Sequence, residues 1–134
     1  MSAPPAPREL AEFLWEESPG HHGGALSKIL VSAGPEGSRL LDYRISTYAP
    51  KAHVATHLHD AKEQVYHFLE GEGLLELDGR RHVVRADSLI YIPPGVSHAL
   101  HNTGLGRLVF LVVTVPVGDA PVGATPMGDA PVAR

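Results

Sequence analysis

Turn-forming residues cut this chain into short apolar runs at close, regular intervals, and that punctuation leaves little room for anything but strands. The runs cover residues 25–31, 40–48, 64–69, 73–77, 80–84, 88–92 and 108–115. They are closed by Gly34-Pro35-Glu36-Gly37, Glu70-Gly71, Asp78-Gly79, Pro93-Pro94-Gly95 and Pro116. Asp78-Gly79 between two strand-like runs is the strongest local signal, because both residues tolerate the positive φ of a two-residue hairpin. Strands this short, this regularly spaced, predict an all-β sandwich or small barrel. The 14 glycines and 12 prolines fit the same reading.

The flanks differ from the centre. Residues 1–7 are rich in Pro and Ala and are expected to be disordered. Leu10, Phe13 and Leu14 recur at helical spacing, which predicts a short N-terminal helix over 8–17, ended by Ser18-Pro19-Gly20. His21-His22 reads as part of a loop. From residue 118 onward Gly-Asp-Ala-Pro-Val occurs twice, with few large apolar residues, so 118–134 reads as a disordered tail. One folded domain over 8–117 is expected, large enough for one core and one small-molecule pocket.

Charge and cysteine content remove several function classes. The net charge is −4 and no basic run occurs, which speaks against nucleic acid or an anionic membrane surface as partner. There is no cysteine, hence no disulfide, thiolate nucleophile or Cys-ligated metal. No apolar run is long enough to span a bilayer, and the N-terminus lacks the layout of a secretory signal, so a cytoplasmic location is expected.

Nine histidines remain to be explained. His57 and His59 are separated by one residue, so on a strand both imidazoles point to the same face. Gln64, preceded by Glu63, opens the next strand, and His98 follows the sharp turn at Pro93-Pro94-Gly95. Three imidazoles plus one oxygen donor suit one divalent metal ion per chain: Zn first, with Fe, Ni, Mn or Cu as alternatives. His53 shares a face with His57 if its strand is regular. His67, His82 and His101 are expected to point away from the metal.

These residues fall into two motifs that resemble those of the cupin superfamily. The first reads His57-Leu-His59-Asp-Ala-Lys-Glu63-Gln64-Val-Tyr-His-Phe-Leu-Glu70-Gly71. The second reads Asp87-Ser-Leu-Ile-Tyr-Ile-Pro93-Pro94-Gly95-Val-Ser-His98-Ala-Leu-His-Asn102. The resemblance implies a small jelly-roll-like β-barrel (a double-stranded β-helix) with a metal held inside, often as a homodimer. Two departures stand out. Asp87 occupies a position where the family has Gly. The family's carboxylate ligand, counted back from Gly71, falls on Gln64. The ligand set read from the chain is therefore His57, His59, Gln64 and His98. Glu63 replacing Gln64 through a bulge, or three histidines alone, are the alternatives.

A neutral Gln leaves the ion its full +2 charge, which strengthens it as a Lewis acid and disfavours its oxidation. Strand parity lines the pocket with Tyr66, Phe68, Ile90 and Ile92, and no Lys or Arg is evident for a phosphate. The resulting expectation is an enzyme acting on a small enolisable or polyphenolic, polyketide-like molecule, with the metal stabilising an enolate, as in monocupin polyketide cyclases. A quercetinase-like or diketone-cleaving dioxygenase and a non-catalytic small-molecule binder are the alternatives. The general base is either a metal-held hydroxide or His53.

Overall fold

The structure is a computed structural model that describes residues 4–34, 37–116 and 130–131. Nearly all of it is antiparallel β. One sheet runs in the order β1 (Glu16–Glu17), β3 (Ala25–Val31), β4 (Asp42–Tyr48), β11 (Leu108–Pro116), β6 (Lys62–Glu70) and β9 (Leu89–Ile92). The other runs β5 (His53–Leu58), β10 (His98–Asn102), β7 (Glu72–Leu77) and β8 (Arg80–Arg85). Two short strands, β2 (His21–His22) and β12 (Ala130–Pro131), share the outer edge of β5.

Period-two burial decides which side chains face inward. Along β6, Lys62, Gln64, Tyr66 and Phe68 are buried while their neighbours are more exposed. Along β11, Leu108, Phe110, Val112 and Thr114 alternate in the same way. Phe110 is the hub of the apolar filling, with ring centroids 5.2 Å from Tyr48, 5.2 Å from Phe68 and 5.4 Å from Tyr66. Leu75, Leu100 and Leu108 complete that part of the core.

The turns do what their residues dictate. Asp78 and Gly79 have φ of 48° and 81°, the two positive values that a tight hairpin between β7 and β8 requires. Asp87 also lies in the left-handed region, at φ 73°, and its N–H donates to Phe68 O at 2.8 Å. The family's Gly at this position is thus a conformational requirement, which Asp meets at some strain. Asn102 closes the turn after β10: its amide donates to Tyr48 O at 2.7 Å and Gly106 O at 2.9 Å, and its oxygen accepts from Gly104 N at 2.9 Å.

Two expectations about the flanks change. The helix over 8–17 shrinks to a single 3₁₀ turn, Leu10–Glu12, after which Phe13 is extended. Leu10, Leu14 and Trp15 stay exposed. A short helix needs an apolar face to bury; here Glu16 and Glu17 instead pair with the free edge of β3. His21-His22 is not a loop, because it pairs with His53 and Val54. The disorder expected at 1–3 and over 118–129 and 132–134 concerns residues outside those described, whereas Ala130 and Pro131 pair with Leu58 and His57. Among the described residues, no helix is long and apolar enough to cross a membrane.

Gly71 and Asp87 test this account in opposite directions. A Cβ on Gly71, at φ 85°, would collide with Arg107 O and lie 3.0 Å from Leu108 Cα. Gly71→Ala should destabilise by about 2 kcal/mol or more, and Asp87→Gly should stabilise by up to about 1 kcal/mol, both measured by urea denaturation.

Candidate metal centre

β5 and β10 are out of step by one residue. His57 lies opposite His98, but Leu100 lies opposite Val54, so β5 carries an extra residue between these pairs. A bulge of this kind re-aims the side chains on one side of it. Val54 and His57 both line the interior although two residues, an even number, separate them. His53 is thrown to the outer face, where its ring stacks on His101 at 5.1 Å and lies 5.2 Å from His22. The reading of His53 as a pocket base assumed a regular strand and is corrected here.

His59 follows β5 and is held from the opposite motif: Gly95 N–H, in the turn before His98, donates to His59 O at 2.8 Å. That turn is itself pinned to the β7–β8 hairpin, where Ser97 N–H donates to Asp78 Oδ1 at 2.9 Å and Asp78 N–H to Ser97 O at 2.8 Å. His57, His59 and His98 are thereby brought together, with one ring nitrogen of each within 4.8 Å of the others. Their ring centroids lie 4.2–5.6 Å apart.

Hydrogen bonding sets the tautomers. His57 Nδ1–H donates to Ala55 O at 2.7 Å and His98 Nδ1–H to Val96 O at 3.0 Å. A carbonyl can only accept, so Nε2 carries the lone pair in both rings, the arrangement metal-binding histidines use. His98 Nε2 and both nitrogens of His59 are buried without a hydrogen-bond partner. Burial without partners is costly for polar atoms, and a bound cation would remove that cost at one nitrogen of each ring. Burial lowers His98 to about 3 and His59 to about 4, and the neighbouring His57 pushes both the same way. All the chemistry of the trio fits a divalent metal ion.

Gln64 is 3% exposed and faces the interior. Its amide donates to Thr114 Oγ1 at 3.0 Å, while Oε1 is buried without a partner. β6 stays in register with β9 and β11 through this stretch, Gln64 opposite Ile92 and Thr114, so no bulge exchanges it for Glu63. Glu63 lies on the outer face, accepting from Tyr91 O–H at 3.3 Å. Gln64 and His57 also belong to the wall of a cavity of about 330 Å³.

Tyr66 lines that cavity, but Phe68, Ile90 and Ile92 do not, which corrects their assignment to the pocket. They face inward as parity requires, yet Phe68 and Ile92 are buried in the core and Ile90 packs against it. Tyr48, Val54, Phe110 and Val112 form the apolar wall instead. The sequence reading missed His21 and Arg44, both in the polar wall. Alternation along β4 up to Tyr48 was the available signal for Arg44; none existed for His21, whose place depends on pairing with β5.

A protein-family comparison matches the cupin domain to residues 44–114. The chain belongs to the cupin family. Among curated proteins this cupin is 32% identical over 66 residues to an oxalate-binding protein from Thermotoga maritima, covering 49% of this chain and 54% of that protein. The chain spans about half the length of the curated relatives it matches. Among solved structures, a predicted oxalate decarboxylase from Thermotoga maritima has a TM-score of 0.74 at 24% identity, covering 81% of this chain and 97% of that one. The polyketide cyclase RemF from Streptomyces resistomycificus has a TM-score of 0.71 at 21% identity, covering 92% and 89%. At these identities the solved structures show that the fold is shared.

The lowered His59 and His98 give a signed pH prediction for the metal-free protein. The unfolded chain takes up protons first, from about pH 6.5 downward, so stability is full above that pH and declines as it falls toward about 4 and 3. Melting temperatures between about pH 8 and about pH 4 should fall monotonically with acid. Replacing His57, His59 or His98 singly with Ala should abolish stoichiometric metal uptake, measured by elemental analysis, whereas His101→Ala should retain it.

Proposed function

We propose that this cupin is a metal-dependent enzyme acting on a small enolisable or polyphenolic molecule, with His57, His59, His98 and Gln64 as the metal's ligands. The observation that carries the reading is Gln64: a neutral side chain, fixed by Thr114, whose buried oxygen lacks a partner. A divalent ion held by four neutral donors supplies undiminished Lewis acidity toward a carbonyl or enol oxygen and little tendency to be oxidised.

The chain's own residues supply the rest. Tyr66, Phe110 and Tyr48 give a flat ring an aromatic wall to lie on. His21 takes the role of general base that His53 cannot reach. Its Nδ1–H donates to Pro19 O at 3.0 Å, which leaves Nε2 as the basic nitrogen. Burial lowers its pKa, and His57 and Arg44 act in the same direction, so it is neutral and able to accept a proton near neutral pH. The apolar wall holds water away from an enolising substrate.

The oxalate-binding relative favours a second reading, in which the same pocket binds a small molecule without turnover. Turnover by the metal-loaded protein separates the readings. A panel of poly-β-ketones, flavonols and dihydroxybenzoates is offered under nitrogen and in air. Product under nitrogen is expected; oxygen uptake coupled to turnover would identify a dioxygenase, and binding without turnover a binder. Gln64→Glu should keep or tighten metal binding while lowering turnover by about tenfold or more, the equivalent of one pKa unit on an enol proton. Glu63→Gln should change neither. Activity lost in Glu63→Gln but kept in Gln64→Glu would overturn the ligand assignment.

A further inference from the structure

The cavity contains a cation, Arg44, to which the proposed chemistry gives no contact with the ligand. Arg44 lies on the inward face of β4, between Asp42 and Ser46, and lines the cavity. Asp42 holds it through two parallel hydrogen bonds, Nε to Oδ1 at 2.7 Å and Nη2 to Oδ2 at 3.1 Å. Both side chains are largely buried, at 14% and 6% exposure. A guanidinium has five N–H donors. Asp42 occupies the edge made by Nε and one N–H of Nη2, and among the described residues it is the hydrogen-bond partner of the Arg44 side chain. The opposite edge, made by Nη1 and the second N–H of Nη2, is a parallel pair of donors of the kind that grips a carboxylate in two places.

Next to it on the same wall, Ser27 Oγ and Ser46 Oγ are 2.7 Å apart and buried. One hydroxyl donates to the other, so the second keeps its own proton for a further acceptor. Arg44 and Ser46 face inward on β4, and Gln64 faces inward on β6 with β11 between them. Arg44 lies level with Val112 and Gln64 with Thr114, so two strand spacings and an offset of two residues separate their backbones, about 12 Å, and the side chains on that wall span a substituted aromatic ring. The cavity thus has donor groups at one side, the His57–Gln64 wall at the other, and aromatic side chains between.

We infer that Arg44, held flat by Asp42 and flanked by the Ser27–Ser46 pair, is a carboxylate subsite, and that the ligand of this cavity is an aromatic or enolic carboxylate. The inference rests on the reading of this cavity as the substrate pocket and narrows the class of compound it takes. Asp42 acts through Arg44 as a positioning residue. It offsets the guanidinium charge and fixes which edge is presented.

The test uses the full chain, metal-free and zinc-loaded, with 2,4-dihydroxybenzoate and its neutral methyl ester as probes, read by calorimetry. The wild type should bind the carboxylate at least about tenfold tighter than the ester. Arg44→Gln should abolish that preference, and Arg44→Lys should keep part of it. Because Arg44→Gln leaves Asp42 buried without its cation, the neutral pair Asp42→Asn/Arg44→Gln is measured beside it, with thermal melting to confirm folding. Loss of the preference in either folded variant supports the subsite. Failure of the wild type to bind the carboxylate, or a preference that survives in both variants, overturns it. The metal-free arm keeps this outcome separate from the proposed function. An Arg44-dependent preference without zinc uptake would sink the metal reading alone, and zinc-dependent turnover without an Arg44 effect would sink the subsite alone.

Discussion

One extra residue in β5 organises the interior. Without it, the strand's period of two would place His53 and His57 on one face and leave Val54 on the other. With it, Val54 packs against Leu100 while His57 stands opposite His98. The same strand therefore contributes to the apolar core at its start and to the metal centre at its end. His59, just beyond the strand, depends on the Gly95 hydrogen bond for its place. The Gly95 turn depends in turn on the Asp78-Gly79 hairpin through Ser97. The trio is thus held by one bulge and two turns.

The interior is polar where a small barrel would ordinarily be apolar. His59, His98, Gln64, Thr114, Asp42, Ser27 and Ser46 are all buried. Most are satisfied within the protein, Gln64 by Thr114, Asp42 by Arg44, Ser27 by Ser46. Among the described residues, the buried side-chain atoms left without a partner are both His59 nitrogens, His98 Nε2 and Gln64 Oε1, and a metal could take one nitrogen of each ring and the amide oxygen. Such groups destabilise the fold unless a bound ligand satisfies them, so occupancy of the site and the stability of the barrel are coupled. The lowered His59 and His98 express the same coupling as a preference for the neutral, ligating form of each ring.

Much of this was legible in the residues. Seven runs of apolar residues became β3, β4, β6, β7, β8, β9 and β11, and Asp78-Gly79 made its hairpin, because local turn chemistry and period-two burial act within a few residues. The metal trio could be named from spacing, since His57 and His59 share a face and His98 follows a turn that can only bend sharply. Strand parity also placed Gln64 inward and Glu63 outward, and the regular pairing of β6 shows the same.

What the chain's order alone could not decide is set by pairing between distant segments. The bulge in β5 exists only against β10, so the outward turn of His53 has no local signal. His21-His22 became a strand because the edge of β5 was free to pair. The N-terminal segment took one 3₁₀ turn because no apolar face was offered to a longer helix. Phe68, Ile90 and Ile92 point inward as read, but whether an inward residue meets cavity or core depends on how the two sheets close. The sequence determined most of the strands, the turns and the grouping of the three histidines, all governed by local sterics and side-chain chemistry. Tertiary structure alone decided the depth of each side chain and the placing of Arg44 and His21 in the cavity, because those follow from register across strands far apart in the chain.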